Sequence, residues 1–143
     1  MVSAGDVRIL RIKGRTIEAR MGRHNYQQAT FDSPASARCH FDALVLDLTK
    51  LGFVPVCENF VISSRHVTKI YHEVKTKPRA GFFGWLFCCC MDDRYVGQKA
   101  VVEFDGGAYR WGWDFTNADN ATAFLEPIVQ KCRRAAVAST ASL

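Results

Sequence analysis

The sequence predicts an α+β fold of antiparallel β-hairpins with two helices, at about 34–51 and 118–133. Three observations predict it. Apolar and polar residues alternate with period two over residues 7–31 and in several later stretches, the mark of half-buried strands. Apolar residues at three- and four-residue spacing mark the two helices. Lys13-Gly14-Arg15 and Asp105-Gly106-Gly107 are turns that fold neighbouring strands into hairpins.

Taken in order, Lys13-Gly14-Arg15 separates VRILRI from TIEARM. Ile17, Ala19 and Met21 alternate with Thr16, Glu18 and Arg20, which gives the second strand a charged outer face. A further turn near His24-Asn25 leads into YQQATF. The first helix is the most fully specified element. Asp32 or Ser33 caps its free amides, and Pro34 suits the first helical position, where no amide is needed. Ala37, Phe41, Leu44, Leu48 and Leu51 form its apolar face. Gly52 ends it in the left-handed region, and Phe53 folds back on the last turn.

Two strands follow, FVPVCENFVIS, with Pro55 as its point of interruption, and HVTKIYHEV. KTKPRAGFFGWLFCCCMDD then joins Lys75, Lys77 and Arg79 to an apolar block from Phe82 to Met91, read either as a buried strand behind a basic loop or as an exposed loop. VGQKAVVEF and AYRWGWDF flank the second glycine turn, and Tyr109, Trp111, Trp113 and Phe115 share one face. That row reads as core beneath the second helix in preference to a base-stacking platform. Asn117 caps that helix, which carries Ala121, Phe124, Leu125, Ile128, Val129 and Cys132 inward. Residues 136–143 are expected to form a disordered tail. Phe31-x-Ser33-x-x-x-Ala37-x-x-x-Phe41 can be laid over Phe115-x-Asn117-x-x-x-Ala121-x-x-x-Leu125. This organisation allows two hairpin-plus-helix units, 1–53 and 54–135, or one compact domain over 1–135.

The 143 residues suffice for one such domain or two small ones. Nineteen basic against fourteen acidic residues give a net charge of +5, which favours an acidic partner. The six cysteines, Cys39, Cys57, Cys88, Cys89, Cys90 and Cys132, do not form a disulfide framework, since three are contiguous and one lies on a predicted helix. MVSAGDVR lacks the charged-then-apolar pattern of a secretory signal, and no apolar run approaches the roughly 20 residues of a spanning helix. An intracellular, reducing compartment is therefore expected. There is no phosphate-cradling glycine loop, zinc helix, nucleophile elbow or dinucleotide fingerprint. Cys39 and His40 diverge on a helix, and adjacent Cys88, Cys89 and Cys90 cannot readily close a tetrahedral zinc site. No enzymatic activity, cofactor, metal or small-molecule substrate is expected.

Three binding readings remain. In the first, Arg15, Arg20 and Arg23 on the N-terminal hairpin contact the phosphates of nucleic acid. In the second, the chain is a peripheral membrane adaptor: Lys75, Lys77 and Arg79 attract anionic lipid, Phe82, Phe83, Trp85 and Phe87 enter the interface, and Cys88, Cys89 and Cys90 accept S-acylation. In the third, it is an accessory subunit whose basic and apolar patches are covered within a larger protein assembly.

The run from Thr16 to Phe53 resembles a WGR domain, a small β-rich module with one helix found in DNA-break-sensing polymerases and many bacterial proteins. Met21-Gly22-Arg23 stands where that family has Trp-Gly-Arg, and Phe31-Asp32-Ser33-Pro34, Ala37, Phe41 and Gly52-Phe53 follow its strand, helix and exit. The resemblance implies that Gly22 and Arg23 help to grip nucleic acid. It departs from the family at Met21, which removes the stacking ring, and in the absence of a glycine-rich continuation. Residues 99–132, with RWGWDFTNADNATAFLEPIV, are similar to the closing strand and helix of pleckstrin-homology-type barrels. Nucleic acid leads among the partners that these readings imply, with an anionic membrane surface or a protein complex as alternatives.

Overall fold

Two helices and two antiparallel sheets make up the α+β architecture of the computed structural model, which describes residues 4–77 and 94–141. The first sheet holds β1 (Ile9–Lys13), β2 (Thr16–Arg20), β3 (Tyr26–Thr30), β4 (Phe53–Cys57) and β5 (Phe60–Ser63) in the order β3-β2-β1-β5-β4. The second holds β6 (Val67–Lys77), β7 (Arg94–Phe104) and β8 (Tyr109–Phe115) in sequential order. Helix α1 (Pro34–Thr49) follows the first three strands, and α2 (Ala118–Ala141) follows the last three. Each helix thus closes a three-stranded antiparallel meander.

The two junctions are built alike. Ser33 Oγ accepts from the Ser36 amide at 3.1 Å, and Asn117 Oδ1 accepts from the Asn120 amide at 2.8 Å. Four residues beyond each cap lies a fully buried alanine, Ala37 or Ala121, small enough to let the helix approach its sheet. Gly52, at φ +92°, leads the chain from the end of α1 into β4.

Neighbouring strand residues point to opposite faces, and the first sheet contributes buried residues to a core on each side. Leu10, Ile12, Ile17, Phe53 and Val61 pack against Ala37, Phe41 and Leu48 of α1. Ile9, Val54, Phe60 and Ile62 face the other way, against Ala100, Val102 and Phe104 of the second sheet and Ala121, Leu125 and Ile128 of α2. The aromatic row of β8 joins this second core. Trp113 lies 5.3 Å from Phe60 and 5.0 Å from Phe124, and Tyr109 stacks on Phe104.

Several boundaries differ from those predicted. FVPVCENFVIS is a hairpin, turning at Glu58-Asn59 with a bulge between Pro55 and Cys57. α1 stops at Thr49, which leaves Leu51 beyond the helix and exposed. α2 continues past 133, so residues 136–141 of the expected disordered tail are helical. β5 pairs with β1, so the first sheet takes strands from both sides of residue 54 and a boundary there falls inside it. Arg79 and the Phe82–Cys90 block, with Phe83, Trp85, Phe87, Cys88 and Cys89, lie outside the described residues. Lys75 and Lys77 are placed on β6 by their backbone.

Candidate functional site

Cross-strand register arranges the α2-facing side of β1–β3 in three rows. Ile9, Arg20 and Tyr26 form the first, Arg11, Glu18 and Gln28 the second, and Lys13, Thr16 and Thr30 the third. Ile9 is core, whereas the other two rows are polar. The second sheet covers the β5 side of this face and reaches β1 and β2 through Trp111. β3 is left open: all five of its residues are exposed.

Glu18 organises the middle of the face. Arg11 Nε donates to its Oε1 at 2.9 Å, Arg20 Nε donates to the same oxygen, and Gln28 Nε2 donates to Oε2 at 3.1 Å. Burial alone would raise the carboxyl pKa. The hydrogen bonds from Arg11, Arg20 and Gln28 outweigh it, and hold the group below its ordinary value of 4.5.

The two guanidinium groups are also held by rings. The Arg11 carbon lies 5.0 Å from the centre of Trp111, and that of Arg20 lies 5.3 Å from Trp111 and 4.7 Å from Tyr26. Tyr26, Arg20, Trp111 and Arg11 therefore form an alternating run of rings and cations whose open end is Tyr26, 48% exposed. Beneath it the Tyr109 hydroxyl is buried near Arg20, with no hydrogen-bond partner of good geometry among the described residues, and burial pushes its pKa up while Arg20 draws it down. A hollow of about 230 Å³ opens over Arg11, Lys13, Thr16, Glu18 and Gln28.

Of the residues singled out in the sequence, Arg20, Gly22 and Arg23 stand at one end of β2 and Arg15 at the other, roughly 17 Å away for a five-residue strand. Arg15 and Arg23 are exposed turn residues, and no side-chain hydrogen bond or ion pair holds either among the described residues. Arg23 also borders a groove of about 340 Å³ with Glu73, Lys99, Arg110 and Gly112. Arg20 is different. Its side chain is 17% exposed, and it is committed to Glu18 and two rings. Nothing in the structure requires glycine at position 22, where a Cβ would meet open space. Met21 packs on the α1 side of the sheet, away from this face.

Arg11, Glu18, Gln28, Tyr26 and Trp111 were not among the predicted site residues. The Gly14 turn carries a usable signal for the Arg11–Glu18 pair, because it fixes the register that sets them opposite one another. No local signal sets Trp111 of the aromatic row against Arg20, from which it lies 91 residues away in sequence. Elsewhere, Cys39 and Cys57 are exposed free thiols, and Cys132 is half-buried with its pKa raised by burial. Among the described residues, no group of three or more His, Cys, Asp or Glu could hold a metal ion, and no helix is long and apolar enough to cross a membrane.

No protein-family model matches the chain, and no curated protein does. Among solved structures, it is similar to the LytTr DNA-binding domain of a Bacillus cereus methyl-accepting/DNA response regulator, with 14% identity over 87% of this chain and 85% of that one and a TM-score of 0.41. At that score the likeness settles neither fold nor function.

Proposed function

We propose that this chain is a non-catalytic binding module whose open β1–β3 face contacts nucleic acid through its phosphates. The carrying observation is the charge of that face. Arg11, Lys13, Arg15, Arg20 and Arg23 lie on it or on its turns, against the carboxylate of Glu18, which is already bonded to Arg11 and Arg20, and that of Glu73 in the groove that Arg23 borders. A phosphate chain running along β2 meets Arg15 at one end and Arg23 at the other, with Lys13 beside the path. The WGR-like run supports the same reading, since it carries Arg23 to this surface.

Binding of this kind is set mainly by counterion release, so its affinity falls steeply with salt. The test is the double variant Arg15→Glu/Arg23→Glu, titrated against fluorescent oligonucleotides by anisotropy at several salt concentrations. Both side chains are exposed and, among the described residues, neither is held by a side-chain hydrogen bond or ion pair, so the fold should survive. The expected result is weaker binding to every sequence, with the salt slope reduced by about one for each arginine removed. An unchanged affinity and slope would overturn the proposal.

A further inference from the structure

We infer that the ring of Tyr26 is a base-stacking subsite, and that the nucleic acid taken by this face is single-stranded. The inference rests on the phosphate-binding reading above and adds the class of nucleic acid. Duplex DNA presents phosphates but keeps its base faces stacked inside the helix, where a flat aromatic ring on a sheet cannot reach them. Single strands offer both phosphates and free base faces, and proteins that bind them combine a basic track with exposed aromatic rings.

Tyr26 meets that description in a way no other described ring on this face does. It stands at the open end of the run Tyr26, Arg20, Trp111, Arg11, with the Arg20 guanidinium 4.7 Å from its ring centre. Arg20 is in turn fixed by its bond to Glu18. The ring is thus held in place from behind, and about half of it remains in solvent. A base laid on the free side extends an alternation that the protein has already built. Trp111 and Trp113, the other large rings of the region, are committed to Arg11 and Arg20 and to Phe60 and Phe124 respectively, and cannot serve. Gln28 and Thr30 continue along β3 from Tyr26 on the same side and are exposed; one N–H of Gln28 is given to Glu18 and the Thr30 hydroxyl pairs with Thr16, and their remaining donor and acceptor capacity faces the track. Lys13, Arg15 and Arg23 surround this track with positive charge, which favours a nucleotide chain over a cationic or neutral protein segment as the occupant.

The experiment compares three probes by fluorescence anisotropy with the full chain: a mixed-sequence single strand, its duplex, and an abasic single strand of equal length. The wild-type protein should bind the single strand about tenfold or more tightly than the abasic strand, and in preference to the duplex. Tyr26→Ala should lower single-strand affinity to the abasic level while leaving abasic binding unchanged, and Tyr26→Phe should retain the wild-type pattern. Circular dichroism of each variant confirms that the edge strand tolerates the change. Equal binding of all three probes would overturn the stacking subsite and leave the phosphate reading standing. Absence of binding to any probe would overturn both.

Discussion

Replacing Glu18 tests whether the polar row on β1–β3 is a structural unit or a set of surface ion pairs. The carboxylate side chain is 7% exposed, and those of Arg11 and Arg20 are 23% and 17% exposed. Glu18→Ala removes the only counterion that Arg11 and Arg20 have among the described residues, and one acceptor of Gln28. Breaking a fully buried pair in this way costs about 3–5 kcal/mol. The residual exposure of the arginines lets water replace part of what is lost, so the lower end applies, about 3 kcal/mol. Glu18→Gln keeps an acceptor oxygen but loses the charge, and the difference between charged and neutral hydrogen bonds sets its cost at about 1–1.5 kcal/mol.

Urea denaturation followed by tryptophan fluorescence measures both. With a slope of about 2 kcal/mol per molar, Glu18→Ala should lower the midpoint by about 1.5 M and Glu18→Gln by about half of that. A double-mutant cycle with Arg20→Ala should show coupling of about 1 kcal/mol or more, since an arginine without its carboxylate is itself a liability. If both single variants lie within about 0.5 kcal/mol of wild type, the row behaves as an exposed ion pair and the structural role assigned to it is refuted.

Two further predictions concern pH and the helix caps. His66 Nδ1 is hydrogen-bonded to the buried Ser63 hydroxyl, 2.7 Å away, and its pKa lies below the ordinary 6.5 because burial disfavours the imidazolium and Arg8 stands nearby, against the opposing pull of Asp105. A depressed folded-state pKa means that this contribution to stability is complete above pH 6.5 and is lost as pH falls below it, with Glu18 adding a second loss below pH 4.5. Melting temperature should therefore decline between pH 7.5 and 5.5, and His66→Gln should flatten that limb; identical profiles would contradict the assignment. Ser33→Ala and Asn117→Ala should each cost about 1 kcal/mol, because each leaves one helix amide unbonded. A cost for one and none for the other would show that the two junctions are alike in shape but not in energetics.

The parts of the fold that were legible in the sequence are those fixed by local chemistry. Gly14, Ser33, Pro34, Gly52 and Asn117 each act on residues within one turn of themselves, and the elements they bound were found. Where such markers are missing, element ends are not legible. Residues 134–141, RAAVASTA, include four alanines and contain neither glycine nor proline, so nothing stops the helix capped by Asn117, although a terminal stretch is ordinarily expected to be disordered. The placement of β5 between β1 and β4 was not legible for a different reason. It is a pairing across 50 residues, and Val61 and Ile62 would satisfy a strand in either sheet.

The same distinction explains why Arg20 was read as a surface residue. Alternation along β2 correctly puts it on the polar side with Glu18, but cannot show that β8 comes over that side and sets Trp111 against Arg11 and Arg20. The second sheet therefore completes a site whose charged residues all come from the first. This changes which substitution is informative. Reversing the charge of Arg20 would remove a positive charge, the partner of Glu18 and the support of Tyr26 together, so loss of binding would not identify its cause. Arg15 and Arg23 carry the charge without the structural role, and Tyr26 carries the ring without the charge. Separating those two variants separates phosphate attraction from base stacking, which is the distinction between a general polyanion binder and a reader of single strands.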